Sequence, residues 1–147
     1  MCVPSVRREK IKHRGAQRNT EGDVMRMNEI SGEIVDAAMK VHSELGPGLL
    51  GNVYTACLQQ ELLRREVKAL KEVGMPVSYR GTSIDVGYRL DLLVEDLIIV
   101  EAKAVHSLVP VHKAQIFTYL KLSKKPLGLL INFGQQHLKD GIVRIAN

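Results

Sequence analysis

Apolar residues recur along the chain at two different spacings, and the spacing changes near residue 65. In two segments, about 28–45 and 50–65, apolar side chains return every three or four residues, which predicts two amphipathic helices. The sequence Gly46-Pro47-Gly48 predicts a break between them. On the inner face of the second helix we expect four residues: Val53, Cys57, Leu58 and Leu62.

After residue 65, shorter apolar runs predict β-strands. The runs cover residues 67–73, 75–79, 86–94, 97–104, 127–133 and 142–146. The segment 97–100 is apolar at every position, which is typical of a buried central strand. A third helix is predicted over about 111–122, before Pro126. This order of elements predicts an α/β (α+β) fold, a mixed β-sheet flanked by helices.

Basic charge is concentrated at the N-terminus. Residues 1–26 hold seven basic and three acidic residues, whereas 27–147 hold 14 basic and 13 acidic residues. Because residues 1–26 also contain few apolar side chains, we expect a basic, disordered leader followed by a single domain over 27–147. A nucleic-acid-binding arm is the functional alternative for the leader. The near-neutral domain argues against avid, nonspecific binding to DNA.

Composition also excludes several classes of protein. No apolar run approaches the roughly 20 residues that a membrane-spanning helix needs. Two cysteines, Cys2 and Cys57, are too few for a disulfide framework or a structural zinc site. We therefore expect a cytoplasmic protein with no membrane partner, and nothing in the sequence indicates a homo-oligomer.

Three charged residues interrupt the apolar strands: Asp91, Glu101 and Lys103. Charges on central strands are costly unless they are paired or bound to metal. Glu101 and Lys103 are two residues apart and therefore project from one face of the sheet. Two converging carboxylates can hold a hard divalent cation, and a nearby lysine can orient water, as metal-assisted phosphodiester hydrolysis requires. The structural alternative is a cross-strand ion pair between Glu101 and Lys103.

The length of the turn between the two strands tests the metal hypothesis. A two-residue turn at Glu95-Asp96 would place Asp91 and Glu101 on opposite faces, whereas an odd-length turn would place them on one face. Asp96 tolerates the left-handed conformation that a bulged turn uses. The hypothesis therefore predicts an odd-length turn.

These residues also resemble a known family. Asp91 followed by Glu101-Ala102-Lys103 resembles the core of the PD-(D/E)xK nuclease superfamily, and Gln115-Ile-Phe-Thr-Tyr119 resembles the QxxxY element of its RecB-like branch. Several short sequence segments across about 27–147 are similar to the GxxExxY family of that superfamily. They are Met27-Asn-Glu-Ile-Ser, Gly46-Pro-Gly-Leu-Leu, Asp85-Val-Gly-Tyr-Arg-Leu-Asp91 and Leu129-Leu-Ile-Asn-Phe133.

The resemblance implies a restriction-endonuclease-like core, with Asp91 and Glu101 as ligands of Mg²⁺ or Mn²⁺ and with DNA or RNA as partner. It further implies a catalytic role for both carboxylates and for Lys103, while Gln115 and Tyr119 support the site or touch phosphate. From the amphipathic character of tyrosine alone, we expect the rings of Tyr119 and Tyr54 to pack in the core.

One position departs from the family pattern. The name-giving motif would read Gly48-x-x-Glu-x-x-Tyr54, but Gly51 occupies its middle position. In the superfamily a helix carboxylate at this place commonly completes the metal site. Two functions therefore stay open: a Mg²⁺-dependent, nuclease-like phosphodiesterase weakened by this loss, or a catalytically inactive nuclease-fold module that binds nucleic acid or a protein partner.

Overall fold

The computed structural model describes residues 21–147, except for the side chains at positions 86 and 87. Over this range the chain forms three α-helices, five strands and one short 3-10 helix. In chain order they are α1 (Glu21–Leu45), α2 (Gly51–Arg64), β1 (Ala69–Tyr79), β2 (Thr82–Val94), β3 (Ile98–Lys103), α3 (Pro110–Ser123), β4 (Leu127–Asn132), the 3-10 helix (Leu138–Gly141) and β5 (Ile142–Ala146). The predicted mixed α/β architecture is confirmed. Within 21–147, no helix is both long enough and apolar enough to cross a membrane.

Helix α1 begins earlier than predicted. Its first turn carries Glu21 and Asp23, where acidic side chains interact favourably with the helix dipole. Arg26 is buried and forms an ion pair with Glu95 at 3.4 Å, and Met27 is buried beside it in the sequence. Residues 21–26 are therefore helical and part of the fold, so the predicted end of the leader at residue 26 was wrong. The rest of the predicted leader, residues 1–20, lies outside the described residues.

The five strands form one mixed sheet in the order β1-β2-β3-β4-β5. The β1/β2, β2/β3 and β4/β5 pairs are antiparallel, whereas β3 and β4 are parallel. Parallel neighbours need a crossover connection, and α3 supplies it. Consequently α3 packs directly over the two central strands, next to the end of β3.

Strand β1 corrects the prediction of two separate strands over 67–73 and 75–79. It runs without interruption through Pro76, with a register shift between Met75 and Val77. Proline is tolerated at the edge of a sheet, because an edge strand leaves part of its backbone without a strand partner. The predicted break was wrong because β1 is an edge strand.

The sheet buries apolar side chains on both faces. Helices α1 and α2 cover one face with Ile34 and Leu58 against Val100, among others. Helix α3 covers the other face, where Ile116 and Leu120 pack against Ile99 and Leu130. Every residue of β4 is buried, as are the first five residues of β3. This double coverage explains why both strands are almost entirely apolar.

The inner face of α2 differs in part from the prediction. Leu58 and Leu62 are fully buried as expected, but Val53 is 38% exposed and Cys57 is only half-buried. Both residues line an open cleft, and Cys57 also packs against the core as predicted. The buried positions of the first helical turns are Tyr54 and Thr55, so the helix is rotated relative to the predicted inner face.

Tyr54 has the packing role that was predicted. Its ring stacks on Phe133 with a centroid distance of 4.6 Å and an interplanar angle of 7°. Its hydroxyl donates to the carbonyl of Gly46 and accepts from the backbone N–H of Leu49 at 3.1 Å. Tyr54 therefore fixes the connection between α1 and α2 and, with it, the position of Gly51 at the start of α2.

Candidate active site

The turn between β2 and β3 has the odd length that the metal hypothesis requires. Residues 95–97 form it, and Leu92 lies opposite Val100 in the register that follows. Continuing this register by one position sets Asp91 opposite Glu101. The two carboxylates therefore lie on the same face of the sheet, the face covered by α3.

A buried carboxylate stabilises this turn. Glu95 and Asp96 both have left-handed backbone conformations, with φ of 52° and 55°. This conformation was expected at Asp96 but not at Glu95. The side chain of Glu95 accepts from the backbone N–H of Lys68 at 2.9 Å and pairs with Arg26. These contacts hold Glu95 in a conformation that costs energy for a residue with a Cβ.

Asp91 and Glu101 are joined by reciprocal hydrogen bonds between the strands. The backbone N–H of Asp91 donates to Glu101 Oε2 at 3.1 Å, and the backbone N–H of Ala102 donates to Asp91 Oδ2 at 2.9 Å. Each carboxylate is therefore held in place by the backbone of the opposite strand.

Burial makes both carboxylates weaker acids. Glu101 is 5% exposed, and burial together with the nearby charge of Asp91 raises its pKa to about 8, against the opposing effects of the Asp91 N–H and Lys103. Burial also raises the pKa of Asp91, although the N–H of Ala102 and the charge of Lys103 act in the other direction. Two carboxyl groups in this arrangement retain one proton near neutral pH. A cation placed between them would replace that proton.

The other predicted site residues border this pair. Lys103 Nζ donates to Gln115 Oε1 at 3.4 Å, which connects β3 to α3. Burial raises the pKa of Tyr119, and the charge of nearby Glu101 raises it further. The Tyr119 ring meets Tyr88 edge-on, with centroids 5.9 Å apart. The structure thus brings all five predicted site residues together, while their catalytic roles remain predictions.

An open cleft of about 530 Å³ reaches this site from the beginning of α2. Gly51, Asp91 and Lys103 are among the residues that line it. A Cβ atom added at Gly51 would lie 3.6 Å from the carbonyl oxygen of Ala102, an ordinary contact distance. Position 51 therefore borders the site and has room for a side chain.

Glu72 is a charged residue of the cleft that the sequence analysis missed. Lys71 pairs with Leu92 and Val73 with Leu90, which sets Glu72 opposite Asp91. Glu72 is exposed, has φ of 55°, lines the cleft and raises the pKa of Asp91. It is the second acidic side chain that lines the cleft, beside Asp91, and it comes from the edge strand.

The donor set for a metal ion consists of two carboxylates. Within residues 21–147, no three or more His, Cys, Asp or Glu side chains form a group that could hold a metal ion. Mg²⁺ keeps several of its waters and can be held by one or two carboxylates together with a substrate phosphate. Asp91 and Glu101 supply hard oxygen donors of this kind, so the residues present fit a largely hydrated Mg²⁺.

The fold and the site together define a nuclease-type α/β domain, with acidic residues on two neighbouring central strands and a lysine two positions after the second. The chain belongs to the PD-(D/E)XK nuclease superfamily, whose family model matches residues 28–145. Nucleases of this superfamily generally use divalent metals. Comparisons with curated proteins and with solved structures found no match.

Proposed function

We propose that this protein is a cytoplasmic, Mg²⁺-dependent, nuclease-like phosphodiesterase of the GxxExxY type, acting on DNA or RNA. The observation that carries the proposal is the pairing of Asp91 and Glu101 on one sheet face, with Lys103 beside them. Asp91 and Glu101 would hold Mg²⁺, or Mn²⁺ in its place. When bound, the metal supplies a positive charge that stabilises negative charge developing on the phosphate.

Lys103 brings a second positive charge to the same place. Its contact with Gln115 Oε1 holds Nζ on the α3 side of the sheet, the side on which the carboxylates lie. A positioned ammonium group can orient an attacking water or stabilise a phosphate oxygen as its charge grows. Gln115 is then a positioning residue, because it acts through Lys103.

Tyr119 remains a hydrogen-bond donor. Because burial and the nearby carboxylates raise the pKa of its phenol, the hydroxyl keeps its proton across the neutral range. A protonated phenol beside the site can donate to a phosphate oxygen. This gives Tyr119 a binding role as well as the packing role expected from its aromatic ring.

A second function is favoured by one observation, the absence of a carboxylate at position 51. The cleft is then lined by Asp91, which is paired with buried Glu101, and by Glu72 at the sheet edge. A protein with this cleft could bind nucleic acid, or a protein partner, without cleaving a bond. The two functions differ in whether bond cleavage accompanies binding.

Nuclease assays with Mg²⁺, Mn²⁺ or EDTA test the proposal, using labelled single-stranded and duplex DNA and RNA. We expect metal-dependent cleavage by the wild type and a roughly 100- to 1000-fold slower rate for Lys103→Met, the loss typical of one stabilising charge. Lys139→Met is the matched control, because this exposed lysine lies on the 3-10 helix, on the other side of the sheet. Gly51→Glu, assayed in parallel, should cleave faster. Metal binding by calorimetry without cleavage in either protein would support the binding module instead.

A further inference from the structure

The near-neutral charge of the domain conceals two regions of opposite sign. No Asp or Glu occurs between Glu101 and Asp140, a segment that contains six lysines. The other residues of 27–147 include eight basic and thirteen acidic ones, a net charge of −5. The basic segment contains α3, which covers one face of the sheet, whereas α1 and α2 cover the other.

Four residues of this segment form what we call the α3 stripe: Lys113, Phe117, Lys121 and Lys124. They are spaced by four, four and three residues, so they follow one side of the helix and its C-terminal cap. All four are exposed, with Phe117 at 44%. The buried residues of α3 face the sheet instead. Lys121 Nζ lies 5.7 Å from the centre of the Phe117 ring, so aromatic and basic groups are interleaved.

The stripe is not explained by the stability of the fold. Among the ion pairs of residues 21–147, none involves Lys113, Lys121 or Lys124, whereas the neighbouring Lys125 pairs with Asp96 at 3.0 Å. Lysines near a helix C-terminus interact favourably with the dipole, but Lys113 lies near the N-terminal end, where a positive charge is unfavourable. An exposed phenylalanine between lysines likewise adds nothing to the core.

We propose that the α3 stripe binds single-stranded nucleic acid, with its lysines contacting phosphates and Phe117 stacking against a base. Uncompensated positive charge attracts the phosphate backbone through counterion release. A half-exposed aromatic ring suits an unpaired base, whose face is accessible. The inference rests on the proposed function and extends it: α3 also carries Gln115, which contacts Lys103 at the site from a different side of the helix than the stripe. It assigns the substrate class as single strands.

The lysines are tested by fluorescence anisotropy with a labelled single-stranded oligonucleotide in EDTA, where cleavage cannot interfere. Lys113→Gln/Lys121→Gln should bind roughly 10- to 30-fold more weakly at about 0.1 M salt, and its log–log salt dependence should be shallower by about 1.4. Lys40→Gln/Lys139→Gln is the matched control, because it removes the same charge from exposed positions on the α1 side. Equal losses in the two double variants would overturn the proposal.

The aromatic contact is tested by comparing Phe117→Ala with Val111→Ala, which removes an apolar side chain that is 61% exposed on the same helix. We expect Phe117→Ala to weaken single-strand binding at least fivefold and to leave duplex binding unchanged, because only an unpaired base can stack on the ring. Equal effects on the two substrates, or equal effects of the two variants, would refute the assignment. Thermal unfolding confirms that each variant is folded.

These measurements separate the inference from the proposed hydrolysis. Binding in EDTA that depends on the α3 stripe, with no cleavage in any metal, would support the inference and refute the phosphodiesterase. Metal-dependent cleavage at the same rate with and without the stripe substitutions would support the phosphodiesterase and refute the role of the α3 stripe.

Discussion

Removing the ionisable group of Glu101 should change how the stability of the protein depends on pH. Burial and the charge of Asp91 raise the Glu101 pKa from 4.5 to about 8. The unfolded chain therefore releases this proton near pH 4.5, whereas the folded chain keeps it until about pH 8. Between these values the folded state binds more protons, so stability falls as pH rises, and it levels off above pH 8. At 1.36 kcal/mol per pH unit, the total loss is roughly 4–5 kcal/mol.

The variant Glu101→Gln should abolish most of this loss. Glutamine is similar in size, its side-chain oxygen can accept from the Asp91 N–H, and it stays neutral at every pH, as protonated Glu101 does. We expect the variant and the wild type to be about equally stable near pH 4.5. Near pH 9 the variant should be more stable by up to roughly 4–5 kcal/mol. The difference is smaller if the wild-type structure relaxes around ionised Glu101.

Urea unfolding in EDTA at several pH values between 4.5 and 9 measures this difference. Far-UV circular dichroism is the appropriate probe, because the chain contains no tryptophan. Glu44→Gln serves as the control, since the side chain of Glu44 is 65% exposed and its removal should leave the pH profile unchanged. Parallel profiles for the wild type and Glu101→Gln would refute the reasoning, because the buried carboxyl would then ionise as it does in the unfolded chain.

Three further predictions concern other parts of the structure. Gly51→Glu should raise Mg²⁺ affinity in calorimetry, because a carboxylate at the edge of the cleft strengthens attraction to a hard cation; equal affinities would place position 51 outside the site. Tyr54→Phe should lower the free energy of unfolding by about 0.5–1.5 kcal/mol, because the half-buried carbonyl of Gly46 loses its donor, and an unchanged urea midpoint would contradict this. Glu95→Ala should destabilise the protein by about 1–3 kcal/mol, because it removes a hydrogen-bonded charge that contacts Arg26 and the backbone N–H of Lys68, whereas wild-type stability would mean that these contacts contribute nothing.

The central strands and the helices were predictable because buried positions are occupied by apolar residues, whose spacing is visible in the sequence. Strands β3 and β4 are covered on both faces, and their segments 98–100 and 127–131 are therefore continuous apolar runs. The bounds of β5 agree with the prediction, and those of α3 differ by one residue at each end. In these segments local pattern and tertiary environment point to the same structure.

The errors arose where a distant contact decided the structure. Arg26 is a charged residue that the chain buries by pairing it with Glu95 on the β2–β3 turn, a contact that no local pattern reveals. The start of α1 was therefore read as part of the leader. Pro76 was read as a boundary because the position of β1 at the edge of the sheet was unknown.

The site was predictable where charge stood out against apolar strands, and not elsewhere. Asp91 and Glu101 were conspicuous for this reason. The sequence also predicted that they lie on one face of the sheet only if the turn between their strands has an odd length. Glu72 gave no such indication, because its place opposite Asp91 depends on the register shift between Met75 and Val77. Without that shift, the register at the β1–β2 turn would set Glu72 opposite Arg89.

The reciprocal hydrogen bonds of Asp91 and Glu101 bear on how this domain can change in evolution. Each carboxylate accepts a backbone N–H of the neighbouring strand, so both side chains help to join β2 to β3. A variant of this domain without any nuclease activity would still lose sheet contacts if it lost either residue. Selection for folding alone can therefore preserve both acidic positions, whereas position 51, which holds no strand in place, is free to change first.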